Sequence, residues 1–253
     1  MLIRMMILFS LTCSILSFPQ QITNWKNYSY MGNVTGIQIS ENNIWAATDG
    51  GIFSYSIQDG TFQTLTKVSG LEDISLASIT ADYSGRIWTG STSGIIHIYN
   101  TDDESIDAIL DIFNTDIINK SINYLTSIAD TIIVSTDYGI SIISADSKLF
   151  LDTFIKFGDF TTNTKVNFAD KFDLFYVCTN SGVAIQKPGT ENLSAPESWN
   201  TYTTADGLQS NKVLKIVEYQ DSLVVATDLG FNIFDGSIWQ PFLPQFNNLE
   251  ISD

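Results

Sequence analysis

Few side chains in this sequence are of the types that carry catalysis. His97 is the only histidine, and the two cysteines are Cys13 and Cys178. A site built on two histidines and a zinc site built on thiolates are therefore excluded. His97 lies in an apolar segment, where a structural imidazole is favoured over a catalytic one. We expect no catalytic, cofactor-binding or metal-binding residue set.

Acidic residues are plentiful, and the densest group is Asp102, Asp103 and Glu104 with Asp107. This group lacks the alternating acid order of a preorganised calcium loop. A solvated hairpin tip is therefore favoured. Because acids are abundant, a carboxylate-dependent lyase or glycosidase remains a less favoured alternative.

The elements that must position these residues come from an internal repeat. Five apolar runs each end in a small residue, a Thr or Ser, two turn residues and a Gly: NIWAATDGG (43–51), RIWTGSTSG (86–94), TIIVSTDYG (131–139), LFYVCTNSG (174–182) and SLVVATDLG (222–230). The closing glycines are 43, 45, 43 and 48 residues apart. This period is typical of a four-stranded propeller blade.

Two columns of residues precede these turns. Just before the Thr or Ser stand small residues, Ala47, Gly90, Ser135, Cys178 and Ala226, and two places earlier stand Trp45, Trp88, Ile133, Tyr176 and Val224. We expect the small column to be buried near the axis and the large one to fill the space between sheets. Counting from the turn glycine, His97 aligns with Ser54, Ile142, Ile185 and Ile233.

The sequence therefore predicts an all-β fold, a β-propeller of four-stranded antiparallel blades. Five blade units are visible, around 33–66, 72–114, 121–157, 165–203 and 211–243. Residues 246–253 resemble the start of a further blade. We expect the chain to be the N-terminal part of a larger propeller.

Turns and connections at one rim of this fold are the candidate binding surface. The turns between second and third strands and the Asp206–Gly207 connection are expected to share that rim. The candidate residues are Asp49, Thr92, Asp137, Tyr138, Asn180, Asp206, Asn211 and Asp228. Turn formation alone also accounts for these residue types.

The first residues are typical of a secretory signal peptide. Arg4 precedes an apolar stretch, and we expect cleavage near Ser17, which leaves 18–253 as the propeller domain. Cleavage would remove Cys13, so Cys178 could form no internal disulfide and is expected to be a buried, inert thiol. It would also change the net charge from −16 to −17, because residues 1–17 hold Arg4 and no acid. Such charge disfavours nucleic acid and anionic membranes as partners.

One unit resembles a known repeat nearly from end to end. Residues 199–213, WNTYTTADGLQSNKV, followed by SLVVATDLGFNIFDGSIW, are similar to the two-component-regulator propeller repeat, with its W-x-x-Y-T, D-G-L-x-S-N-x-V, T-x-x-G-L and D-G-x-x-W elements. Ser69-Gly70-Leu71 and Trp25-Lys-Asn-Tyr28 resemble parts of it, whereas the third and fourth units lack the D-G-L.

With a signal peptide, such repeats resemble the N-terminal propeller of PorZ-type proteins of the type IX secretion system. The resemblance implies an exported, non-enzymatic binding or scaffold module in the periplasm or at the cell surface of a bacterium. Its partner would be a protein or a surface polysaccharide, with further domains C-terminal to it. The alternative is the periplasmic ligand-sensing propeller of a hybrid two-component signalling protein.

Overall fold

The computed structural model describes residues 29–246. These residues form five sheets, each built from four consecutive antiparallel strands. The predicted all-β, propeller-like fold is confirmed. Within the described range, no helix is long and apolar enough to cross a membrane. The expected signal peptide, Trp25–Tyr28 and nearly all of the expected further blade at 246–253 lie outside the described residues.

The sheets follow one another in the sequence. The first contains β1 (Val34–Ser40), β2 (Asn43–Thr48), β3 (Gly51–Ser56) and β4 (Phe62–Leu65). The second contains β5 (Leu76–Ala81), β6 (Ile87–Ser91), β7 (Ile96–Tyr99) and β8 (Ile106–Ile109). The third contains β9 (Ile122–Ile128), β10 (Thr131–Thr136), β11 (Gly139–Ser144) and β12 (Phe150–Phe154).

The remaining two sheets have the same order. The fourth contains β13 (Val166–Lys171), β14 (Phe175–Thr179), β15 (Gly182–Gln186) and β16 (Trp199–Tyr202). The fifth contains β17 (Val213–Tyr219), β18 (Ser222–Thr227), β19 (Gly230–Phe234) and β20 (Trp239–Phe242). Short 3-10 turns lie at Lys67–Ser69, Pro196–Ser198, Thr204–Asp206 and Pro244–Phe246.

The turn between second and third strands is fixed by its threonine and glycine. Thr48 Oγ1 accepts a hydrogen bond from the Gly50 amide at 3.0 Å and donates to the Gly51 carbonyl at 2.8 Å. Gly51 has a φ of 122°, and a Cβ there would lie 2.3 Å from the Leu65 carbonyl oxygen. Only glycine satisfies both conditions. The same threonine pair of hydrogen bonds recurs at Thr136, Thr179 and Thr227.

The small column faces the following sheet. Ala47, Ser135 and Cys178 are buried, and a Cβ on Gly90 would lie 2.3 Å from Ile122 Cγ2 of the next sheet. The expectation is wrong for Ala226, which is only partly buried. The reason is that no described sheet follows the fifth.

The five sheets do not close into a ring within residues 29–246. In the later sheets, one face packs against the preceding sheet. On the same face of the first sheet, Ile37, Ile39 and Phe62 are exposed. In the second sheet the residues of that face, including Ile79 and Ile87, are buried against the first sheet. The outer faces of the first and fifth sheets therefore have no described neighbour.

A repeated hydrogen bond joins neighbouring sheets near the axis. Each first strand has a β-bulge, at Thr35, Ala77, Asn123, Asn167 and Leu214. Thr35 Oγ1 donates to the Leu76 carbonyl, Asn123 Nδ2 to Val166 and Asn167 Nδ2 to Val213, each at 2.8 Å. In the first, third and fourth sheets the bulge therefore aims a polar side chain at the next sheet, and the hydrogen bond helps to set that sheet's position.

Candidate functional site

His97 is fully buried in the second sheet. Its Nε2 accepts hydrogen bonds from the amides of Glu72 at 3.0 Å and Asp73 at 3.3 Å. Burial lowers the pKa of His97 to about 4, although the Asp73 carboxylate opposes this shift. A neutral imidazole that accepts two backbone bonds anchors a loop and has no substrate-facing proton to exchange.

The structure corrects the position of His97 within the repeat. His97 pairs with Thr89, just as Asn232 of the fifth sheet pairs with Val225. Its equivalents are thus Phe53, Ser141, Ala184 and Asn232, and not Ser54, Ile142, Ile185 and Ile233. The turn of the second sheet holds one more residue, since the Ser91 amide bonds the Ile95 carbonyl.

The loops that lead into the second and fifth sheets have the same conformation. Each begins with a capping box, from Thr66 to Ser69 and from Thr203 to Asp206, and ends in a glycine of positive φ. At Gly207 a Cβ would lie 2.0 Å from the Trp239 carbonyl oxygen. The Gly-Leu pairs of the sequence therefore place Leu71 and Leu208 in buried positions.

The candidate rim exists as a set of adjacent turns. In every sheet, the amide of the residue after the turn Thr or Ser donates a hydrogen bond to a backbone carbonyl. That carbonyl belongs to the residue immediately before the first strand of the same sheet. The Asp49 amide donates to the Asn33 carbonyl at 3.4 Å, and the Thr92 amide donates to the Ser75 carbonyl at 3.0 Å. The side chains of Asp49, Thr92 and Asn180 are exposed there, and those of Asp137 and Asp228 are partly buried.

Polar contacts already engage rim side chains of the second, third and fourth sheets. Thr92 Oγ1 donates to Ser75 Oγ at 3.2 Å. Asp137 Oδ1 lies 2.9 Å from Lys165 Nζ and accepts from Asn123 Nδ2 at 3.1 Å. Asn180 Oδ1 accepts from Asn167 Nδ2 at 2.9 Å. The asparagine contacts connect the rim to the bulges that join the sheets.

Three other candidate residues serve the loops or the core. Asp206 Oδ2 accepts from the Thr203 amide at 2.8 Å, and Asn211 Oδ1 accepts from the Thr204 amide at 2.8 Å. Tyr138 is 5% exposed, and burial raises the pKa of its hydroxyl. Of the eight candidates, Asp49, Thr92, Asn180 and Asn211 present exposed side chains.

The acidic group near residue 103 is a turn. Asp103 Oδ1 accepts from the Ser105 amide at 3.0 Å, and hydrogen bonding from Ser105 lowers the pKa of this exposed carboxyl. Asp107 forms an ion pair with Lys148. Among residues 29–246, no cluster of three His, Cys, Asp or Glu side chains has the geometry to hold a metal ion. Cys178 is buried, which raises the pKa of its thiol and leaves it inert.

Lys215 lies in a group that sequence reasoning missed. Its Nζ donates to the Tyr124 hydroxyl at 3.0 Å and lies 4.7 Å and 5.3 Å from the ring centroids of Tyr124 and Phe168. The group borders a cavity of about 460 Å³ between the first strands of the sheets. Asp170 lies at the same cavity, where burial raises the pKa of its carboxyl and Lys215 opposes the shift.

A signal for this group was present in the sequence. Tyr124, Phe168 and Lys215 each pair with the small-column residue of their own sheet. A lysine in a column of aromatic residues suggests a cation–π contact. The structure was needed to align these three residues, because each bulge shifts the register of a first strand against its second strand.

The comparisons with known proteins agree with this architecture. The family model described as the N-terminal β-propeller domain of PorZ of the type IX secretion system matches residues 44–200, more than half of the chain. The chain belongs to this family. Curated protein sequences give no match.

Solved structures show the same fold at low sequence identity. PorZ of Porphyromonas gingivalis, described as an essential bacterial surface component of the type IX secretion system, superposes with a TM-score of 0.73 at 18% identity, over 89% of this chain and 30% of that one. The extracellular domain of the hybrid two-component system BT4673 of B. thetaiotaomicron superposes with a TM-score of 0.66 at 14% identity, over 83% of this chain and 28% of that one. The extracellular domain of BT3049, from the same organism, superposes with a TM-score of 0.61 at 15% identity, over 93% of this chain and 30% of that one. The chain thus spans less than a third of each of these proteins.

Proposed function

We propose that the chain is an exported, non-enzymatic binding or scaffold module of a PorZ-like type IX secretion or cell-surface assembly protein. Its partner is a protein or a surface polysaccharide. Membership of the PorZ propeller family carries this proposal. The apolar segment that follows Arg4 supports export, with cleavage near Ser17.

The use of the polar side chains supports a role without catalysis. His97 accepts two backbone amides, and Asp82 accepts the Trp88 indole at 2.8 Å and the Arg86 guanidinium at 2.7 Å. A general acid or base needs a polar atom free to meet a substrate. His97 Nε2 and the Asp82 carboxylate are committed to the fold, and His97 Nδ1 is buried.

The exposed residues of the rim are the surface that we propose for the partner. Asp49, Thr92 and Asn180 come from three different sheets, and each follows a turn threonine or serine that is itself buried. Exposed polar groups on a rigid scaffold suit recognition. The net charge of −16 disfavours nucleic acid and anionic membranes as partners.

A second candidate is the ligand-sensing propeller of a hybrid two-component protein. The likeness to the BT4673 and BT3049 extracellular domains favours it. A sensor of that kind would require a membrane-spanning segment and a kinase region elsewhere in the full-length protein. A carboxylate-dependent lyase or glycosidase is the third and least supported candidate.

Localisation and turnover together test the proposal. A tagged full-length gene product, expressed in the bacterium that encodes it, is expected to lose residues 1–17 and to become accessible to protease added to intact cells. Any hydrolase or lyase activity of the purified protein is expected to survive His97→Gln. A cytoplasmic product, or activity lost from a folded His97→Gln variant, would contradict the proposal.

A further inference from the structure

Two neighbouring polar atoms of the second sheet have no hydrogen-bond partner among the described residues. They are His97 Nδ1 and Thr89 Oγ1, and both side chains are fully buried. Thr89 and His97 are paired across β6 and β7, so their side chains lie next to each other on the same face of the sheet. Buried polar atoms in folded proteins are hydrogen-bonded in the large majority of cases, so this pair needs an explanation.

The hydrogen bonds of His97 fix the position of its proton. Its Nε2 accepts from the amides of Glu72 at 3.0 Å and Asp73 at 3.3 Å. A ring nitrogen that accepts carries no proton, so the single proton of the neutral imidazole is on Nδ1. The unpartnered Nδ1 is therefore a hydrogen-bond donor, and the hydroxyl of Thr89 beside it can both donate and accept.

The fifth sheet shows which group such a donor meets in this repeat. Asn232, at the position of His97, accepts from the Gln209 amide at 3.2 Å and donates through Nδ2 to the Gly207 carbonyl at 3.1 Å. Gly70 corresponds to Gly207, because each glycine closes a loop that begins with the same capping box. The Gly70 carbonyl is thus the equivalent acceptor in the second sheet.

The shapes of the two anchoring side chains explain why a direct hydrogen bond is made in one sheet only. In asparagine the acceptor oxygen and the donor nitrogen are both at the end of the side chain. In a histidine that accepts through Nε2, the donor Nδ1 lies one atom nearer to the strand. The imidazole of His97 therefore reaches the loop amides, but its donor is set back from the loop carbonyl.

The hydroxyl of Thr89 fits the same explanation. The equivalent residues of the other sheets have apolar side chains, namely Ala46, Val134, Val177 and Val225. The one hydroxyl of this column thus stands beside the one imidazole of the chain. Burial of a hydroxyl in place of a methyl group is unfavourable unless the hydroxyl is hydrogen-bonded. Its position next to His97 therefore points to a shared partner.

We propose that a single water molecule is bound between His97 Nδ1, Thr89 Oγ1 and the Gly70 carbonyl oxygen. The water accepts a hydrogen bond from Nδ1 and donates to the hydroxyl and to the carbonyl, and three hydrogen bonds are typical of a buried water. A metal cation cannot accept from Nδ1, and an anion cannot donate to the carbonyl. A small neutral molecule that both donates and accepts is the class of ligand that fits.

The water would support the rim of the second sheet through the loop that it holds. This loop continues to Ser75, whose carbonyl accepts from the Thr92 amide at 3.0 Å. Asp73 of the same loop accepts from Ser93 Oγ at 2.5 Å and from the Ser75 amide at 3.1 Å. The water site is therefore connected to the rim turn, but it does not depend on whether the rim binds a partner.

A crystal structure of the purified protein, expressed from its full gene, tests the site directly. One ordered water within hydrogen-bond distance of all three atoms is expected. A direct hydrogen bond from Nδ1 to Thr89 or Gly70, or the absence of water density at Nδ1, would overturn the proposal. The double variant Thr89→Val with His97→Asn has the residue pair of the fifth sheet. In its structure we expect a direct bond from the new amide to the Gly70 carbonyl, and a water retained there would contradict the proposal.

A double-mutant cycle measures the same network in solution. Urea unfolding gives the unfolding equilibrium constants of the wild type, Thr89→Val, His97→Asn and the double variant. Thr89→Val is expected to be less favourable in the wild type than in the His97→Asn background, by at least about fivefold in that constant. Thr80→Val, on the opposite face of the second sheet, is the matched control and is expected to show no coupling to His97→Asn. Equal effects of Thr89→Val in the two backgrounds would overturn the proposal, whatever the stability of the single variants.

Discussion

His97 and Asn232 occupy the same position in the second and fifth sheets, and each holds the loop that leads into its own sheet. His97 Nε2 accepts from the Glu72 amide, and Asn232 Oδ1 accepts from the equivalent Gln209 amide. One imidazole nitrogen and one amide oxygen thus serve as the same acceptor. The single histidine of the chain is part of the repeat.

Replacement of His97 tests this equivalence. His97→Ala leaves two partly buried amides without their acceptor, which costs about 1–3 kcal/mol. His97→Asn restores an oxygen acceptor and is expected to cost less than His97→Ala. Urea unfolding of both variants measures the difference, and equal losses would show that the imidazole fills space without anchoring the loop.

The same histidine makes stability depend on pH. Its pKa is about 4 in the folded protein and about 6.5 in the unfolded chain, so the unfolded state binds the proton first. The stabilisation is complete above pH 6.5 and is lost as the pH falls toward 4, by roughly 3 kcal/mol in all. Carboxyl groups titrate in part of this range, so the measured quantity is the difference between the wild type and His97→Asn. A difference that stays constant from pH 7 to 4 would contradict the lowered pKa.

Ala47 and Ala226 share a repeat position but differ in their surroundings. Ala47→Leu enlarges a fully buried side chain and is expected to cost about 1–3 kcal/mol. Ala226 lies on a face of the fifth sheet that has no described neighbour. Ala226→Leu is therefore expected to change the free energy of unfolding by no more than about 0.5 kcal/mol. Urea midpoints measured in parallel check the contrast. A similar loss in both variants would mean that the face of the fifth sheet is covered.

The bulge residues give a prediction about how the sheets stay together. Asn167→Ala removes the hydrogen bond to the Val213 carbonyl and the one to Asn180, and is expected to cost about 1–2 kcal/mol. Amide hydrogen exchange should then rise mainly in β17, which the bond holds. Leu214→Ala is the comparison, because Leu214 stands at the same bulge position and has no side-chain donor. Uniform loss of protection across all five sheets would argue against a local latch.

Patterns within one blade were sufficient to predict the fold. Threonine, an Asx or other turn residue, and glycine recur at the same hairpin, and the hairpin determines two strands of every sheet. Counting from Gly94 failed for His97 because the turn of the second sheet holds an extra residue. A one-residue change moves a side chain to the other face of its strand.

Contacts between blades could not be placed from patterns within one blade. Lys215 and Tyr124 are 91 residues apart and meet only because three first strands surround the axis. The burial of Ala226 depends on a neighbouring sheet, which its own segment cannot reveal. Tyr138 follows a turn residue and has a polar group, yet it packs in the core between the second and third sheets.

Binding by the rim tests the central claim most directly. The measurement is the binding isotherm of the labelled protein on intact cells of its own bacterium from which the gene has been deleted. The rim variant combines Asp49→Arg with Asn180→Arg. The control combines Asp102→Arg with Asp103→Arg, in the turn at the opposite end of β7 from Thr92. We predict saturable binding by the wild type and the control, and at least about tenfold weaker binding by an equally stable rim variant. Undiminished binding by the rim variant, or no saturable binding by the wild type, would contradict the account.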